Sequence, residues 1–345
     1  MKYLVKITPL EPYSFGNDQN FVYPEEASTG KESYFVRSKE IPEQTTILGL
    51  LRYLVLKEYG LLRTDFQYTP EERRQMKHCI GSRSFSYLEK EKQEFGDIHE
   101  ISPVFLLNDK EEILIRNPYH NKAERGYQPM QMEAGVETSN GSISLPKTGE
   151  YDTKKGYAGG FYNLATQEIE HGIFNTIVVS GNRKNEKQGS EEGCFFKREL
   201  KNLKKNYAFG VFADVEKLPE KAVGYMGKKK SAFLIETKEV DSMDLEAKVT
   251  ACFADQEEVW FYALSDLVLS ETPVYEEFCI VEEKYQRNLE TVYEAGSRLK
   301  KLKKSEVRHH LIQSGSVFYK TCSLPLAQEN CRQIGYNRVV QLGGR

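Results

Sequence analysis

The sequence lacks the features that mark membrane and secreted proteins. It has no run of about 18 consecutive apolar residues, so we predict that the chain does not span a membrane. Residues 1–7 lead into Thr8 and Pro9 rather than into a long apolar segment with a small-residue cleavage site, so no signal peptide is expected. The six cysteines are scattered without a Cys-x-x-Cys pair, which favours reduced thiols over a disulfide framework or a zinc site. We therefore expect a cytoplasmic protein.

Catalytic and nucleotide-binding signatures are also missing. The sequence contains no P-loop, no His-Glu-x-x-His, no Gly-x-Ser-x-Gly elbow and no Gly-x-Gly-x-x-Gly fingerprint. The pair His309 and His310, next to Arg308, could serve as a general base that cleaves RNA, although a surface pair beside a strand is the simpler interpretation. We predict a protein that is not an enzyme, with no catalytic residues, metal, cofactor or small-molecule substrate.

What is present indicates a folded chain with segregated charge. Apolar residues make up 39% and charged residues 29%, which supports a packed core, and 345 residues suffice for two ordinary domains or one large one. Residues 236–283 contain fourteen acidic side chains against two lysines, a balance of −12, so the rest of the chain carries +9. This segregation permits a nucleic-acid partner for the basic part. The acidic segment is either a protein-contact face or a solvated face.

Two helices have clear local signals. The first can begin at Thr45 or Thr46 as its cap and end at Gly60. Its apolar residues recur on one face: Ile47, Leu50, Leu51, Leu54 and Val55. The second is predicted over 70–79, with Thr69 as its cap and a proline at its first position.

Strand-like segments outnumber helices. They lie at 3–8, 101–107, 112–116, 176–180, 207–213, 231–236, 316–320 and 336–341. The segment 245–264 fits either a strand or a helix, and 284–304 looks helical and basic. The segment 16–39 is predicted to be a loop, and 117–160 is predicted to be either disordered or a functional loop. This pattern predicts an α+β fold with helices on one side of antiparallel sheets. The glycine-rich stretch 141–160 is the best candidate for a domain boundary.

Four segments combine basic side chains with glycines or aromatic rings: 116–127, 180–185, 223–230 and 335–338. Glycines let a backbone approach phosphates closely, and lysines attract them without regard to sequence. An aromatic ring such as that of Tyr336 can stack on a base. Each segment alone fits an ordinary turn between strands, but the four together indicate RNA binding.

Five short blocks follow one another along the chain. They are the strand entry at 9–16, a proline and Gly-x-x-Arg helix start at 41–52, a strand pair at 193–211, a Gly-Ser-Val strand at 314–319 and a glycine turn at 334–337. Their order resembles the RAMP superfamily (repeat-associated mysterious proteins), which binds CRISPR RNA. Their spacing is most similar to the third subunit of Cmr-type (type III-B) CRISPR effector complexes. Asn337 stands where a second glycine is usual.

The resemblance implies an architecture and a role. It implies two ferredoxin-like (RRM-like) units with antiparallel sheets and long inserted loops, which we assign to residues 1–150 and 151–345. It implies a non-catalytic subunit in antiviral defence that binds the 5′ tag of the guide RNA. That subunit would bridge the effector's backbone subunits to its large polymerase-cyclase subunit. Two alternatives stay open: a guide-processing endoribonuclease that uses a histidine such as His309, and a stand-alone binder of single-stranded RNA.

The predicted RNA contacts come from the first helix and from three of the glycine-containing segments. The helix that contains Arg52 would also offer its N-terminal N–H groups to phosphate. The predicted contacts are Arg52, Arg183, Lys184, Gly224, Gly227, Lys228, Lys229, Gly335, Tyr336, Asn337 and Arg338.

Overall fold

The structure is a computed structural model. It describes residues 1–22, 34–65, 67–87, 89–138, 141–152, 156–181, 196–227, 230–293, 300–327 and 329–344. These residues contain the helices α1 (Gln44–Glu58), α2 (Pro70–Ile80), α3 (Leu245–Cys252) and α4 (Glu329–Gln333). None of these helices has the length and apolar character that crossing a membrane requires, a finding that covers the described residues.

Strands dominate the described chain. The first twelve are β1 (Lys2–Pro9), β2 (Phe15–Val22), β3 (Tyr34–Lys39), β4 (Ile98–Ile101), β5 (Phe105–Asn108), β6 (Ile113–Arg116), β7 (Met132–Thr138), β8 (Gly141–Pro146), β9 (Phe161–Asn163), β10 (Ile169–Glu170), β11 (Phe174–Gly181) and β12 (Phe196–Leu203). The others are β13 (Tyr207–Val215), β14 (Lys221–Met226), β15 (Ser231–Glu239), β16 (Trp260–Ala263), β17 (Leu267–Val268), β18 (Cys279–Ile280), β19 (Glu283–Gln286), β20 (Leu289–Tyr293), β21 (Lys300–Lys304), β22 (His309–Ile312), β23 (Val317–Tyr319) and β24 (Val339–Leu342).

The central sheet has nine strands in the order β10–β9–β6–β5–β13–β1–β15–β14, with β4 also paired to β13. Strand β1 lies inside it and pairs antiparallel with both β13 and β15. Tyr3, Val5 and Ile7 alternate into the core, as a strand with one buried face requires. The sheet therefore contains strands from both of the predicted units, 1–150 and 151–345, and the boundary between those units stays a prediction.

Smaller sheets surround the central one. Their orders are β11–β12–β3–β2, β18–β23–β16–β24, β17–β22–β19, β20–β21 and β7–β8. The pairings are antiparallel except for β12 with β3, where Phe196 lies opposite Tyr34. The fold of the described residues is thus α+β with mostly antiparallel sheets and few helices, as the sequence predicts at the level of fold class.

Helix α1 supplies one side of the main core. Its apolar stripe, which includes Ile47, Leu51 and Leu54, is fully buried, as the sequence predicts. The cap is not Thr45 or Thr46, however. Glu43 precedes the helix in an extended conformation, and its carbonyl accepts hydrogen bonds from the N–H groups of Thr46 and Ile47. Helix α2 begins as predicted, with a capping box between Thr69 and Glu72.

Three loop or helix predictions are wrong. The predicted loop 16–39 contains β2 and β3, and the predicted loop 117–160 contains the hairpin β7–β8. The described residues of the segment 284–304, predicted to be a basic helix, form β19, β20 and β21: β19 pairs with β22, and β20 pairs with β21. Strand pairing overrides the local helical pattern in these residues. The ambiguous segment 245–264 contains a helix, α3, followed by a strand, β16.

Candidate functional site

A cleft of about 940 Å³ lies at the N-terminal end of α1. Its walls come from the segment 37–44, from β12 and β19, and from the segments 264–266 and 313–314. Its charged lining residues are the basic Arg37, Lys39, Arg116, Lys201, Lys284 and Arg308 and the acidic Glu40, Glu43, Asp266, Glu282 and Glu283. Because the signs are nearly balanced, the pairing of these side chains decides which charges are left for a ligand.

Two of the acids are neutralised by lysines from the protein itself. Lys39 Nζ lies 2.6 Å and Lys284 Nζ 2.8 Å from the same oxygen of Glu43, Oε1. Lys284 also pairs with Asp266. Burial alone would raise the pKa of Glu43, but Lys284 and Lys39 outweigh it and hold that pKa well below its usual range. This network is a fixed part of the cleft wall.

The predicted stacking residue Tyr336 belongs to this network. Its hydroxyl donates to Glu43 Oε2 at 3.0 Å and lies 3.0 Å from the hydroxyl of Tyr87. The side chain is 0% exposed. Its ring therefore offers no free face to an RNA base and instead fixes the position of the Glu43 carboxylate.

Arg116 differs in its contacts from the other half-buried cations that line the cleft. Lys201, by contrast, lies 2.7 Å from Glu199 and donates to Thr176 at 3.0 Å. The Arg116 guanidinium has no hydrogen bond or ion pair with any residue that the structure describes, and its Nε is buried and unpartnered. Its nearest ring is that of Phe161, 5.6 Å from the guanidinium carbon.

The charge of Arg116 is nevertheless secure. Although burial acts against it, neighbouring groups, Glu40 and Asp266 among them, raise the pKa of this guanidinium. A guanidinium forms strong, charge-assisted hydrogen bonds with carboxylate and phosphate oxygens. Arg116 is therefore ready to receive an anion from the cleft.

Helix α1 directs its N-terminal end at the same cleft. Pro42, Glu43 and Gln44 all line it, so the positive end of the helix dipole faces the cavity. The side-chain amide of Gln44 donates to the carbonyls of Ser102 and Gly335, both at 3.1 Å, which fixes where the helix starts. The helix start and Arg116 together favour negative charge in the cleft.

The predicted contacts on α1 and β14 lie outside this cleft. Arg52 donates from Nη2 to the carbonyl of Arg83 at 3.0 Å and packs over the Phe95 ring. A Cβ on Gly224 would lie 2.5 Å from a methyl carbon of Leu50, and one on Gly227 would lie 2.5 Å from the Ser14 carbonyl oxygen. Both glycines thus allow close packing within the protein, and their contact with RNA stays a prediction.

The predicted C-terminal contacts are engaged inside the protein. Gly335 has φ +94°, and a Cβ there would lie 2.4 Å from the Gln44 amide. Asn337, at φ +58°, accepts a hydrogen bond from the Val268 N–H at 2.6 Å. Arg338 pairs with Glu100 and, at 3.0 Å, with Glu246. The turn 335–338 therefore fastens β24 to the core.

The other four predicted contacts, Arg183, Lys184, Lys228 and Lys229, lie outside the described residues. Their role stays a prediction. Arg116, in contrast, belongs to a segment that the sequence marks by its alternating rings and cations, yet it is not among the predicted contacts. Its lack of an acidic partner, which singles it out, is a property of the folded chain.

His309 and His310, the candidate general bases of the endoribonuclease alternative, contact neighbouring side chains of the protein. His309 is 9% exposed, and its ring centroid lies 4.5 Å from that of Tyr87. His310 Nε2 lies 3.1 Å from Glu283, and its ring stacks on Tyr285. In the described part of the chain, no group of three or more His, Cys, Asp or Glu side chains is arranged to hold a metal ion.

Comparison with known protein families identifies the family of this chain. A family model for a CRISPR-associated protein matches residues 5–332. The chain therefore belongs to the Cas_Cmr3 family of CRISPR-associated proteins. This confirms the resemblance to the third subunit of Cmr-type effector complexes. No curated protein matches the chain.

Several solved structures are similar over the whole chain. A chain in "Cryo-EM structure of the Type III-B Cmr-beta bound to cognate target RNA" aligns at 14% identity and a TM-score of 0.49, covering 100% of this chain and 99% of that one. A chain in "Crystal structure of Csm1-Csm4 cassette in complex with AMPPNP" aligns at 11% identity and a TM-score of 0.34, covering 99% and 98%. These values are too low to transfer a role.

Proposed function

We propose that this protein is a non-catalytic subunit of a type III-B CRISPR effector complex, acts in the cytoplasm and binds the 5′ tag of the guide RNA in the cleft at the start of α1. Its neighbours in the complex would be the backbone subunits and the large polymerase-cyclase subunit. The observation that carries the proposal is a half-buried arginine, Arg116, that lines the cleft without an ion pair to any described acidic residue in a member of the Cas_Cmr3 family.

The chemistry of the cleft fits one phosphate better than a long duplex. Charge-assisted hydrogen bonds from a guanidinium to phosphate oxygens are among the strong ones, and the start of a helix attracts the same charge. Two of the acids of the wall, Glu43 and Asp266, are tied to Lys39 and Lys284, which reduces their repulsion of a phosphate. A single unpaired strand that enters the cleft would thus be fixed at Arg116.

The architecture that the resemblance implies is part of the proposal. Two ferredoxin-like units would each place helices against an antiparallel sheet. The arrangement of α1, which follows the first strands and packs beside β14 and β4, supports that view of the N-terminal part.

The test is RNA binding by the full chain over a series of salt concentrations. An unpaired RNA with the 5′ tag should bind more tightly than the same RNA with the tag scrambled. Arg116→Gln should weaken tag binding by about 10- to 100-fold, the loss of a charged hydrogen-bond pair. It should also reduce the slope of log K against log salt by about 0.7, one phosphate of a single strand. Arg74→Gln, on the exposed side of α2, changes the net charge equally and should do little.

Three results would contradict the proposal in different ways. Equal binding by the Arg116→Gln variant would remove the cleft from the site. Equal binding of tagged and scrambled RNA would make the protein a general single-strand binder. Specific cleavage of a repeat-containing RNA without metal would support the nuclease alternative.

A further inference from the structure

A stacked pair of tyrosine rings lies beside Arg116 and next to the residues that line the cleft. The rings of Tyr119 and Tyr157 stack with centroids 3.7 Å apart and an interplanar angle of 19°. Tyr119 is buried, whereas Tyr157 is 38% exposed. Since Tyr119 covers one face of the Tyr157 ring, the exposed surface of Tyr157 lies on its other face and its edges.

Both hydroxyl groups are anchored to residues that line the cleft. Tyr119 donates to the Ser314 carbonyl at 3.1 Å and accepts from the Gln313 amide at 2.9 Å. Tyr157 donates to Glu282. The pair is therefore held in place before any ligand arrives, which lowers the entropy lost on binding.

The tyrosine pair lies next to the side chain of Arg116. A Cβ added to Gly315 would lie 2.6 Å from Cε1 of Tyr119 and 2.8 Å from Cδ of Arg116. Both side chains thus converge on one glycine, whose φ of +99° also disfavours any other residue. A stacking surface and a free cation stand side by side.

We infer that Tyr157, backed by Tyr119, is a platform on which one unpaired RNA base stacks while a neighbouring phosphate binds Arg116. The inference deepens the proposed function and rests on it. The ligand is a base whose face is free, as in a single strand, because both faces of a base inside a duplex are covered. Every base has such a face, so the platform selects for an unpaired strand rather than for sequence. Tyr157 thus takes the base-stacking role that the sequence predicts for Tyr336.

The experiment combines affinity with photo-crosslinking on the full chain. Tagged RNAs carrying 5-iodouridine at one position each are bound, irradiated and mapped by mass spectrometry. One position should crosslink to Tyr157. Tyr157→Ala should abolish that crosslink and weaken binding by about 5- to 100-fold, the usual effect of removing one stacking ring. Tyr157→Phe, which keeps the ring, should retain most of the affinity.

Tyr59 provides the matched control. It is 39% exposed, its hydroxyl interacts with a carboxylate, Asp97, and it lies at the opposite end of α1 from the cleft. Tyr59→Ala should leave both affinity and crosslinks unchanged. Thermal unfolding of each variant checks that it is folded. Should Tyr157→Ala not fold, the crosslink map of the unmodified protein decides the question.

The outcomes separate this inference from the proposed function. If tagged RNA binds in an Arg116-dependent way, but no position crosslinks to Tyr157 and Tyr157→Ala binds normally, the platform is refuted and the tag-binding role stands. If the protein does not bind tagged RNA at all, both are refuted.

Discussion

Arg116 and Arg338 form an instructive pair. Each lies at the end of a short strand or just before one, and each belongs to a segment that the sequence marks for RNA binding. Arg338, 8% exposed, donates to Glu246 at 3.0 Å and to the Arg332 carbonyl at 3.1 Å and also pairs with Glu100. Arg116 has no comparable partner among the described residues and faces the cleft.

The difference shows how to tell a structural cation from one that awaits a ligand. Residue type and a neighbouring glycine are the same in both segments, so neither feature separates them. Hydrogen bonds and ion pairs from the Nη atoms of Arg338 fasten the C-terminal strand to the core, although its Nε, like that of Arg116, has no hydrogen-bond partner in the described part of the chain. The guanidinium of Arg116 has no such pairs with the described residues and lines the cleft, where an anion can bind it.

The largest expected effect concerns Glu43, the acid of the cleft wall that two lysines share. Glu43→Gln should lower the free energy of unfolding by about 3–5 kcal/mol, because it leaves two buried ammonium groups, those of Lys39 and Lys284, without their shared carboxylate. Chemical denaturation with urea measures it. Glu283→Gln, which removes a more exposed acid of the same cleft, should change stability little. Equal losses of unfolding free energy in the two variants would mean that the ion pairs of Glu43 stabilise the protein no more than an exposed acid does.

The second effect tests the two arginines directly. Arg338→Met should destabilise the protein by about 1.5–3 kcal/mol, because charged hydrogen bonds are lost at a buried position. Arg116→Met should leave the melting temperature unchanged or raise it, since it removes a half-buried charge that forms no ion pair with a described residue. A fall in melting temperature for Arg116→Met as large as that for Arg338→Met would mean that Arg116 is structural.

Local patterns predict the fold only where local interactions decide it. The strand at 3–8 and the helices α1 and α2 have strong signals in a few consecutive residues, and all three are found, although Glu43 rather than Thr45 or Thr46 precedes α1. The segment 284–304 does not, because its strands depend on partners such as β22. Nor does the sequence reveal that β1 pairs with β13 and β15, whose residues are some two hundred positions away.

The same limit applies to the site. The alternation of rings and cations draws attention to segment 116–127, and that segment does reach the cleft. The glycines and cations of 335–338 give an equally good signal, but Arg338 meets Glu100 across 238 positions of sequence and Glu246 across 92. Residue spacing in the sequence does not reveal such pairs, yet they decide which arginine is bound by acidic residues of the protein itself.

The third effect is a dependence on pH. Because the pKa of Glu43 is lowered in the folded protein, its contribution is complete above its unfolded pKa, about 4.3, and is lost as pH falls through the folded value. Between pH 5 and pH 3 the unmodified protein should therefore lose about 1–2 kcal/mol more stability than Glu43→Gln. Urea titrations at both pH values compare the two. Parallel losses would show that the lysines do not hold this carboxylate charged.

The smallest effect tests whether the turn 335–338 belongs to the core or to RNA. Asn337→Gly restores the glycine usual in the resembling family and keeps the φ of +58° accessible. It also removes the acceptor of the buried Val268 N–H and the donor to the Ala327 carbonyl. We expect a loss of about 1 kcal/mol in denaturation and unchanged tag-RNA affinity. Tighter RNA binding at unchanged stability would place the turn at the RNA after all, and the contrast between Arg116 and Arg338 would no longer hold.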